Sequence, residues 1–408
     1  MTNHTEARAG PLAGIRVLDF SRILSGPYAT MVLADLGADV VKIEEVGKGD
    51  DVRAFPPMQG PLSHYFIALN RNKRSIALNL KTEKGKEIAT ALAASSDIVI
   101  ENFRPGVMDR LGLGYDVLSA DHPELIYCSI SGFGAGSPLA GKPAFDIVTQ
   151  ALSGLMSVNS EPGAAPNRLG LPMGDMAGSI FCVFGVLAAL HERSVTGRGK
   201  RVDVAMLDSL IGMLGYLSQI YFVSGAPPKA VGTKHASIVP YGAFPTADGH
   251  VIVACLTEGF WKSFARCLDM PELLEDPRFA EYTQRLAHRE ALEGLIEARM
   301  RTATTEHWLE RLDAFDVPNA PILDVGEALE QEHVAARGLV AAMDHPSAGR
   351  LRMVKGPIRF DGAGLEPRLP PPLLGEHSFD VLRDMLGYDE ATCHSLEAAG
   401  VVEASAGG

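Results

Sequence analysis

Cysteine is scarce and unpatterned in this chain of 408 residues: Cys128, Cys182, Cys255, Cys267 and Cys393 form no CxxC pair and follow no regular spacing. An odd, irregular set supports neither a disulfide framework nor a structural zinc site, and no metal is expected. Cys128 and Cys182 stand in apolar stretches and read as small buried hydrophobes. Basic charge is also short, with 37 Lys and Arg against 50 Asp and Glu and a net charge of −13. A global basic surface for nucleic acid is thereby excluded, while a local patch for one small polyanion stays open. No uninterrupted apolar run reaches the roughly 18 residues of a membrane span. The start, MTNHTEARAGPLAG, lacks a basic-then-apolar signal segment, so a cytoplasmic protein with no membrane partner is expected.

What is present is an ordinary globular balance, with 46% hydrophobic and 21% charged residues. Neither a disordered chain nor a coiled coil has that profile, and the length suits two or three domains. The N-terminal half alternates strand and helix. Ile15–Phe20 is a β-rich run, Ser25-Gly26-Pro27 opens a helix through Leu36, and Asp39–Glu44 reads as a second strand. Strand patterns recur at Ser75–Leu80, Asp97–Glu101 and Leu125–Ile130, with a helix over Glu83–Ala94. Such βαβ alternation predicts a parallel α/β sheet, whose ligands gather at the carboxyl ends of its strands. Residues 144–217 are mostly apolar and helical, interrupted by a loop over 159–172. A Gly/Pro-rich break at Ser224–Pro228 marks a boundary, and Gly242–Ala254 reads as a hairpin turning at Asp248-Gly249.

Four segments could carry chemistry. Ser21–Pro27 is a strand-to-helix loop that offers free backbone N–H groups to a phosphate, although it is not a GxGxxG fingerprint. Arg71-Asn72-Lys73-Arg74, with Lys81 and Lys84 beyond the next strand, is a candidate phosphate patch or simply a solvated strand end. Glu101–Gly106, with Arg110 a turn later, could hold an aromatic base and its phosphates. Asp175, in Leu171–Gly178, is either an N-cap or a nucleophile, with Gly174 and Gly178 clearing space for a ligand around its carboxylate.

Taken together, Leu18–Pro27, Val41–Glu44 followed by Gly49–Arg53, Asn72–Ile76, Glu101–Gly106 and Thr196–Lys200 resemble the class III CoA-transferases, from about Pro11 to Val402 and in the right order. The resemblance implies an intertwined homodimer. Each chain would have a Rossmann-like large domain built from both chain ends (residues 1–224 and 326–408) and a smaller α+β domain (225–325). It implies a catalytic Asp175, and coenzyme A, part of the acyl-CoA substrate, at Ile23, Leu24, Ser25, Leu78, Lys81, Asn102, Phe103, Arg110 and the Ser131-Gly132-Phe133-Gly134 loop. Glu45 and Ser131 stand where some members carry a basic residue, so Arg71, Lys73 or Arg104 are expected to supply phosphate contacts instead. Backbone N–H groups near Asp175 or in the Gly132–Gly136 loop are candidate oxyanion donors.

Thr233–Tyr241 and Pro370–Glu376 resemble the branch of the family that includes succinyl-CoA:glutarate CoA-transferase. This implies transfer of CoA from an acyl-CoA such as succinyl-CoA to a dicarboxylic acid. Arg53, Arg168, Lys234, His235 and Ser237 are the candidates for the acid's second carboxylate, with His235 equally readable as a hydrogen-bonded loop histidine. Two alternatives stand beside transfer: an acyl-CoA racemase of the same family, and a non-catalytic CoA-binding protein. The racemases carry a histidine where Phe145 stands, and phenylalanine cannot move a proton.

Overall fold

The computed structural model describes residues 10–405. Strands β1 (Arg16–Asp19), β2 (Asp39–Glu44), β3 (Lys73–Leu78), β4 (Ile98–Glu101), β5 (Ile126–Ser131), β6 (Arg201–Ala205) and β7 (Val402–Glu403) form one sheet in the order β7-β3-β2-β1-β4-β5-β6. All neighbours pair in parallel except β7, which runs antiparallel to β3 with Val402 opposite Leu78. The order reverses direction beside β1, so a crevice opens there at the carboxyl ends of the strands.

Alternation along each strand explains why both faces of the sheet are buried. One face collects Leu18, Val41, Ile76, Val99 and Tyr127 beneath Ile88 and Leu92 of helix α2 (Glu83–Ala94), joined by Val381, Leu382 and Leu396 from the far end of the chain. The other collects Val17, Val40, Ile98, Ile126 and Cys128. Ala29 and Leu33 of α1 (Ser25–Asp35) cover it, and after α3 (Asp146–Leu152) so do Cys182, Val183 and Val186 of α4 (Met173–Thr196). Each Val, Leu or Ile side chain among these contributes about 1.5–3 kcal/mol when fully buried. Cys128 and Cys182 meet here as free thiols, Sγ to Sγ 3.2 Å.

Helix α4, at 24 residues, has the length and mean hydropathy of a membrane-crossing helix, although polar residues at both ends keep its uninterrupted apolar run short of a span. Its apolar character has a local cause: Cys182, Val183 and Val186 pack on the sheet, while Asp175 occupies the first turn. Gly197, left-handed at φ 67°, ends it.

The chain divides into two compact units. The first takes residues up to 154, 169–214 and from 332 onward; the second takes 155–168 and 215–331. Relative to the expected boundaries after 224 and 325, the divisions fall after 214 and 331, and the segment 155–168 also belongs to the second unit. That unit has a three-stranded antiparallel sheet of Tyr241–Pro245, His250–Ala254 and Asn319–Pro321. Its helices pack Trp261, Phe264 and Trp308 into a separate core. The hairpin turn falls at Asp248-Gly249, where the Asp248 carboxylate accepts from the Thr305 N–H at 2.7 Å.

Candidate active site

The loop between β1 and α1 is held in an uncommon conformation. Ile23, a β-branched residue, has φ 69°, and its N–H donates to both oxygens of the buried Asp50 carboxylate at 3.1 and 3.2 Å. Asp50 also pairs with Lys42 at 3.0 Å, in a site where both side chains are fully buried. Burial alone would depress Lys42, but Asp50 and Asp19 outweigh it and hold the ammonium above its usual range. The strained loop therefore rests on a buried ion pair that leaves its backbone fixed.

Asn102, just after β4, ties the same loop from the other side. Its carbonyl oxygen accepts from the Arg22 N–H at 2.8 Å, and its amide donates to the Arg22 carbonyl at 2.7 Å and to Ser25 Oγ at 3.2 Å. Asn102 is thus a clamp between two strand ends. Beside it, Glu101 accepts from the Phe103 N–H at 2.7 Å, and the Arg22 guanidinium lies 4.9 Å from the centre of the Phe103 ring. Burial pushes Glu101 up to about 7, against the hydrogen bonds from Ser129 and Phe103.

A cleft of about 250 Å³ opens at this edge, with Arg22, Phe103, Leu78, Lys81 and Glu45 among its lining. An aromatic face, an apolar floor and two cations suit a base and its phosphates. Lys81 pairs with Glu45 at 2.8 Å, and both are exposed, so this contact is readily exchanged for a ligand's charge. Arg104 and Arg110 are exposed on the next loop and helix, and Arg104 lines a separate small crevice with Glu101 and Arg201. Arg22 was not singled out from sequence, although its place immediately after a strand end is the signal that marks it.

The expected phosphate patch at Arg71–Arg74 is not at this edge. Arg71 is 2% exposed and grips Asp35 through Nε and Nη2 at 3.0 and 2.6 Å. Lys73 is fully buried against Asp19 at 3.3 Å, the Pro27 carbonyl at 2.9 Å and Asn70 at 3.0 Å. Burial draws Lys73 down to about 8 despite Asp19. Arg74 pairs with Asp39 at 2.7 Å. These cations lead into the amino end of β3, whereas the cleft opens at its carboxyl end, and they serve the fold. Arg53 is engaged likewise: Glu44 holds it twice, at 2.8 and 2.6 Å, the Pro372 carbonyl accepts from it, and it stacks 3.7 Å from the Phe66 ring centre.

Asp175 stands in the first turn of α4, half-buried, with the Ser25 hydroxyl hydrogen-bonded to its carboxylate. Burial, then the negative charge of Asp146, push it up to about 7, and Ser25 only partly offsets them. Asp146 holds the turn itself, its carboxylate accepting from the Gly174 N–H at 2.7 Å. The neighbouring glycines have a different purpose from the one expected. A Cβ on Gly174 would lie 2.3 Å from Thr149 Oγ1, and one on Gly178 would press on Ile130 and Met206 at 3.3 Å. They let α4 close on α3 and the sheet rather than admit a ligand. Tyr65, which sequence reading passed over, is raised by burial and then by Asp175 and Asp146, placing its phenol in the same field.

In the Ser131–Gly134 loop, the Gly134 N–H donates to Ser131 Oγ at 2.9 Å and the Ala135 N–H to Asp203 at 3.1 Å. Those two donors are engaged, and neither is free for an oxyanion. Phe133 is buried, and Gly132 approaches Ala144 too closely for a side chain.

The remaining acid-binding candidates lie in the second unit. Arg168 is exposed, Lys234 pairs with Glu293 at 2.6 Å, and the Ser237 carbonyl accepts from the Tyr282 hydroxyl at 2.7 Å. His235 Nδ1 accepts from the N–H groups of Ser237 and Ile238 at 3.0 and 3.1 Å, which places the proton of the neutral ring on Nε2. Its ring stacks on Tyr216 at 5.7 Å, and burial and Arg289 hold it below its usual range. His235 is a loop organiser in this arrangement. Among the described residues, no group of three His, Cys, Asp or Glu side chains could hold a metal ion.

The sequence profile of CoA-transferase family III matches residues 12–378. The chain is 36% identical over 394 residues to human succinyl-CoA:glutarate CoA-transferase, covering 96% of this chain and 90% of that one. It is 35% identical over 393 residues to the succinyl-CoA:mesaconate CoA-transferase of Haloarcula marismortui, covering 94% and 98%. A crystal structure of a CAIB/BAIF family protein from Brucella suis superposes with a TM-score of 0.82 at 36% identity, over 92% of this chain and 99% of that one. A profile and relatives that span nearly the whole chain assign the enzyme class: the chain belongs to CoA-transferase family III.

Proposed function

We propose that this enzyme moves CoA from an acyl-CoA, with succinyl-CoA the first donor to try, to a dicarboxylic acid, and that Asp175 holds the CoA, as an aspartyl thioester, between them. The observation that carries the reading is the half-buried Asp175 carboxylate, hydrogen-bonded by Ser25 from the loop that borders the Arg22–Phe103 cleft. An acyl-CoA thioester is already activated, so a positioned carboxylate attacks it without a separate base.

The Asp175 oxygen adds to the thioester carbonyl and the C–S bond breaks, giving an aspartyl–acyl anhydride and CoA thiolate. The thiolate attacks the aspartyl carbonyl, releasing the donor acid and leaving an aspartyl-CoA thioester. The acceptor carboxylate attacks that thioester and expels the thiolate. The thiolate then attacks the acceptor's carbonyl, forming the new acyl-CoA and restoring Asp175. No proton is consumed, and water must be kept from the anhydride. The substrates of the human and haloarchaeal relatives support a dicarboxylate acceptor.

Exposed apolar side chains support the homodimer we propose. Phe184 and Leu171 are 61% and 66% exposed in the first unit, and Phe222 and Val223 are 71% and 85% exposed in the second. Large apolar side chains left bare in this number mark an interface, and the proposed occupant is a second copy. Light scattering would give twice the chain mass; a monomer would sink the dimer.

The test of the chemistry is direct. Incubation with succinyl-CoA, trapping with hydroxylamine or borohydride, and mass mapping should place the modification on Asp175. An unmodified protein that exchanges the α-proton of an acyl-CoA would instead establish a racemase.

A further inference from the structure

We infer that Gln150 is a positioning residue for the transfer reaction: its amide fixes the segment that delivers Asp175, resting on the reading of Asp175 as nucleophile. Gln150 lies on α3 and is wholly buried. Its Nε2 donates to Asp146 Oδ2 at 2.7 Å and to the Leu171 carbonyl at 3.2 Å, while its Oε1 accepts from the Leu169 N–H at 2.9 Å. The other oxygen of Asp146 receives the Gly174 N–H. One side chain therefore joins both edges of the 169–174 segment to the carboxylate that holds the turn before Asp175.

That segment contains no strand, and helix begins only at Met173. Leu171 is two-thirds exposed, and Leu169 and Met173 are only half-buried, so apolar burial holds the segment weakly. Position therefore depends on the polar clamp, and the clamp depends on a neutral amide. Two donors face Asp146 and Leu171, and one acceptor faces Leu169. A carboxylate at position 150 would set three acceptors against one another. A misplacement of about 1 Å between reacting atoms costs on the order of 10²-fold in rate. The loss should appear in the chemical step, because Gln150 does not line the Arg22–Phe103 cleft.

The experiment compares wild type with Gln150→Met, which keeps length and packing without the hydrogen bonds, and with Gln150→Glu, which keeps shape but removes the donor. For Gln150→Met, kcat should fall about 10- to 100-fold while the acyl-CoA KM and the Kd for free CoA stay within about twofold. Gln150→Glu should be slower still at pH 8, although it is the closer isostere. Wild-type kcat in Gln150→Met, or parallel loss of kcat and CoA binding, would overturn the inference. Hydrogen exchange on the wild-type protein gives a check that needs no variant: the Leu169 and Gly174 amides should be protected, and rapid exchange at both would also overturn it. Trapping on wild type separates the two ideas. An adduct away from Asp175 defeats the nucleophile reading, whereas an adduct on Asp175 with an unimpaired Gln150→Met defeats only the clamp.

Discussion

The Ser25 hydroxyl at the start of α1 donates to the Asp175 carboxylate at the start of α4, so the loop after β1 stabilises the charged form of the proposed nucleophile. This bond opposes burial and the Asp146 charge, which together carry Asp175 to about 7. Asp175 attacks as the anion. The acid limb of kcat/KM should therefore have its midpoint near pH 7 rather than near 4. Ser25→Ala removes the stabilising donor and should move the midpoint upward; Asp146→Asn removes the repelling charge and should move it downward. The midpoint, not the height, is the readout. A limb that neither change displaces would mean that another group controls the profile.

The same shift makes a statement about stability. An Asp that titrates near 7 when folded and near 3.8 when unfolded binds more protons in the native state between those values. Native stability is therefore favoured below pH 4, declines as pH rises from 4 to 7, and levels off above. Asp175→Asn removes this cost. At about 1.36 kcal/mol per pKa unit, reduced because the group is only half-buried, the variant should exceed wild type by about 1–3 kcal/mol at pH 8 and by little at pH 4. Urea melts at the two pH values measure it. Transfer activity should vanish in the same variant while CoA binding persists.

Much of the sheet was legible because its signals are local. Asp39–Glu44 and Glu83–Ala94 occupy the ranges their periodicity predicts, and β1, β3, β4 and β5 differ by one or two residues at their ends. The partner of β3 could not be read the same way. Val402 lies more than 320 residues from Leu78, and its short strand carries no periodicity of its own. The hairpin of Val340–His345 and Val354–Gly349, within the expected return linker, was missed. At the proposed site, linked motifs pointed to Asp175, Asn102 and Phe103, and the structure puts Asn102 and Phe103 beside the loop that carries Ser25. Arg71, Lys73 and Arg53 misled because charge is countable in a sequence whereas its buried partners Asp35, Asp19 and Glu44 are not. Gln150 gave no signal, since a buried amide looks like any polar residue on a helix.

That misreading yields a prediction of its own. If Arg71 serves the fold, Arg71→Ala removes the bidentate partner of the largely buried Asp35 and leaves it the Asn72 amide. Breaking one side of a buried pair costs about 3–5 kcal/mol. The variant should melt well below wild type, and the fraction that remains folded should keep the wild-type acyl-CoA KM. A KM raised tenfold at unchanged stability would restore Arg71 to the phosphate site.

Phe103 and Arg22 should behave in the opposite way. The ring is only part-buried, and its backbone is held independently by Glu101 at 2.7 Å, so truncating the side chain leaves the loop anchored. What is lost is the aromatic face in the cleft, the support for the guanidinium 4.9 Å above it and a partial packing contact with the sheet core. Stacking of a base on an aromatic side chain is worth about 1–3 kcal/mol. Phe103→Ala should therefore raise the acyl-CoA KM by about 10-fold and weaken free CoA to a similar degree, with kcat at saturation changed far less. Phe103→Trp should retain most of the affinity because it restores the face. Calorimetry with CoA and with pantetheine, which lacks the nucleotide, locates the effect: only CoA should discriminate between wild type and Phe103→Ala. Equal losses for both ligands would place the ring against the pantetheine arm instead, and an unchanged CoA affinity would remove the base from this cleft.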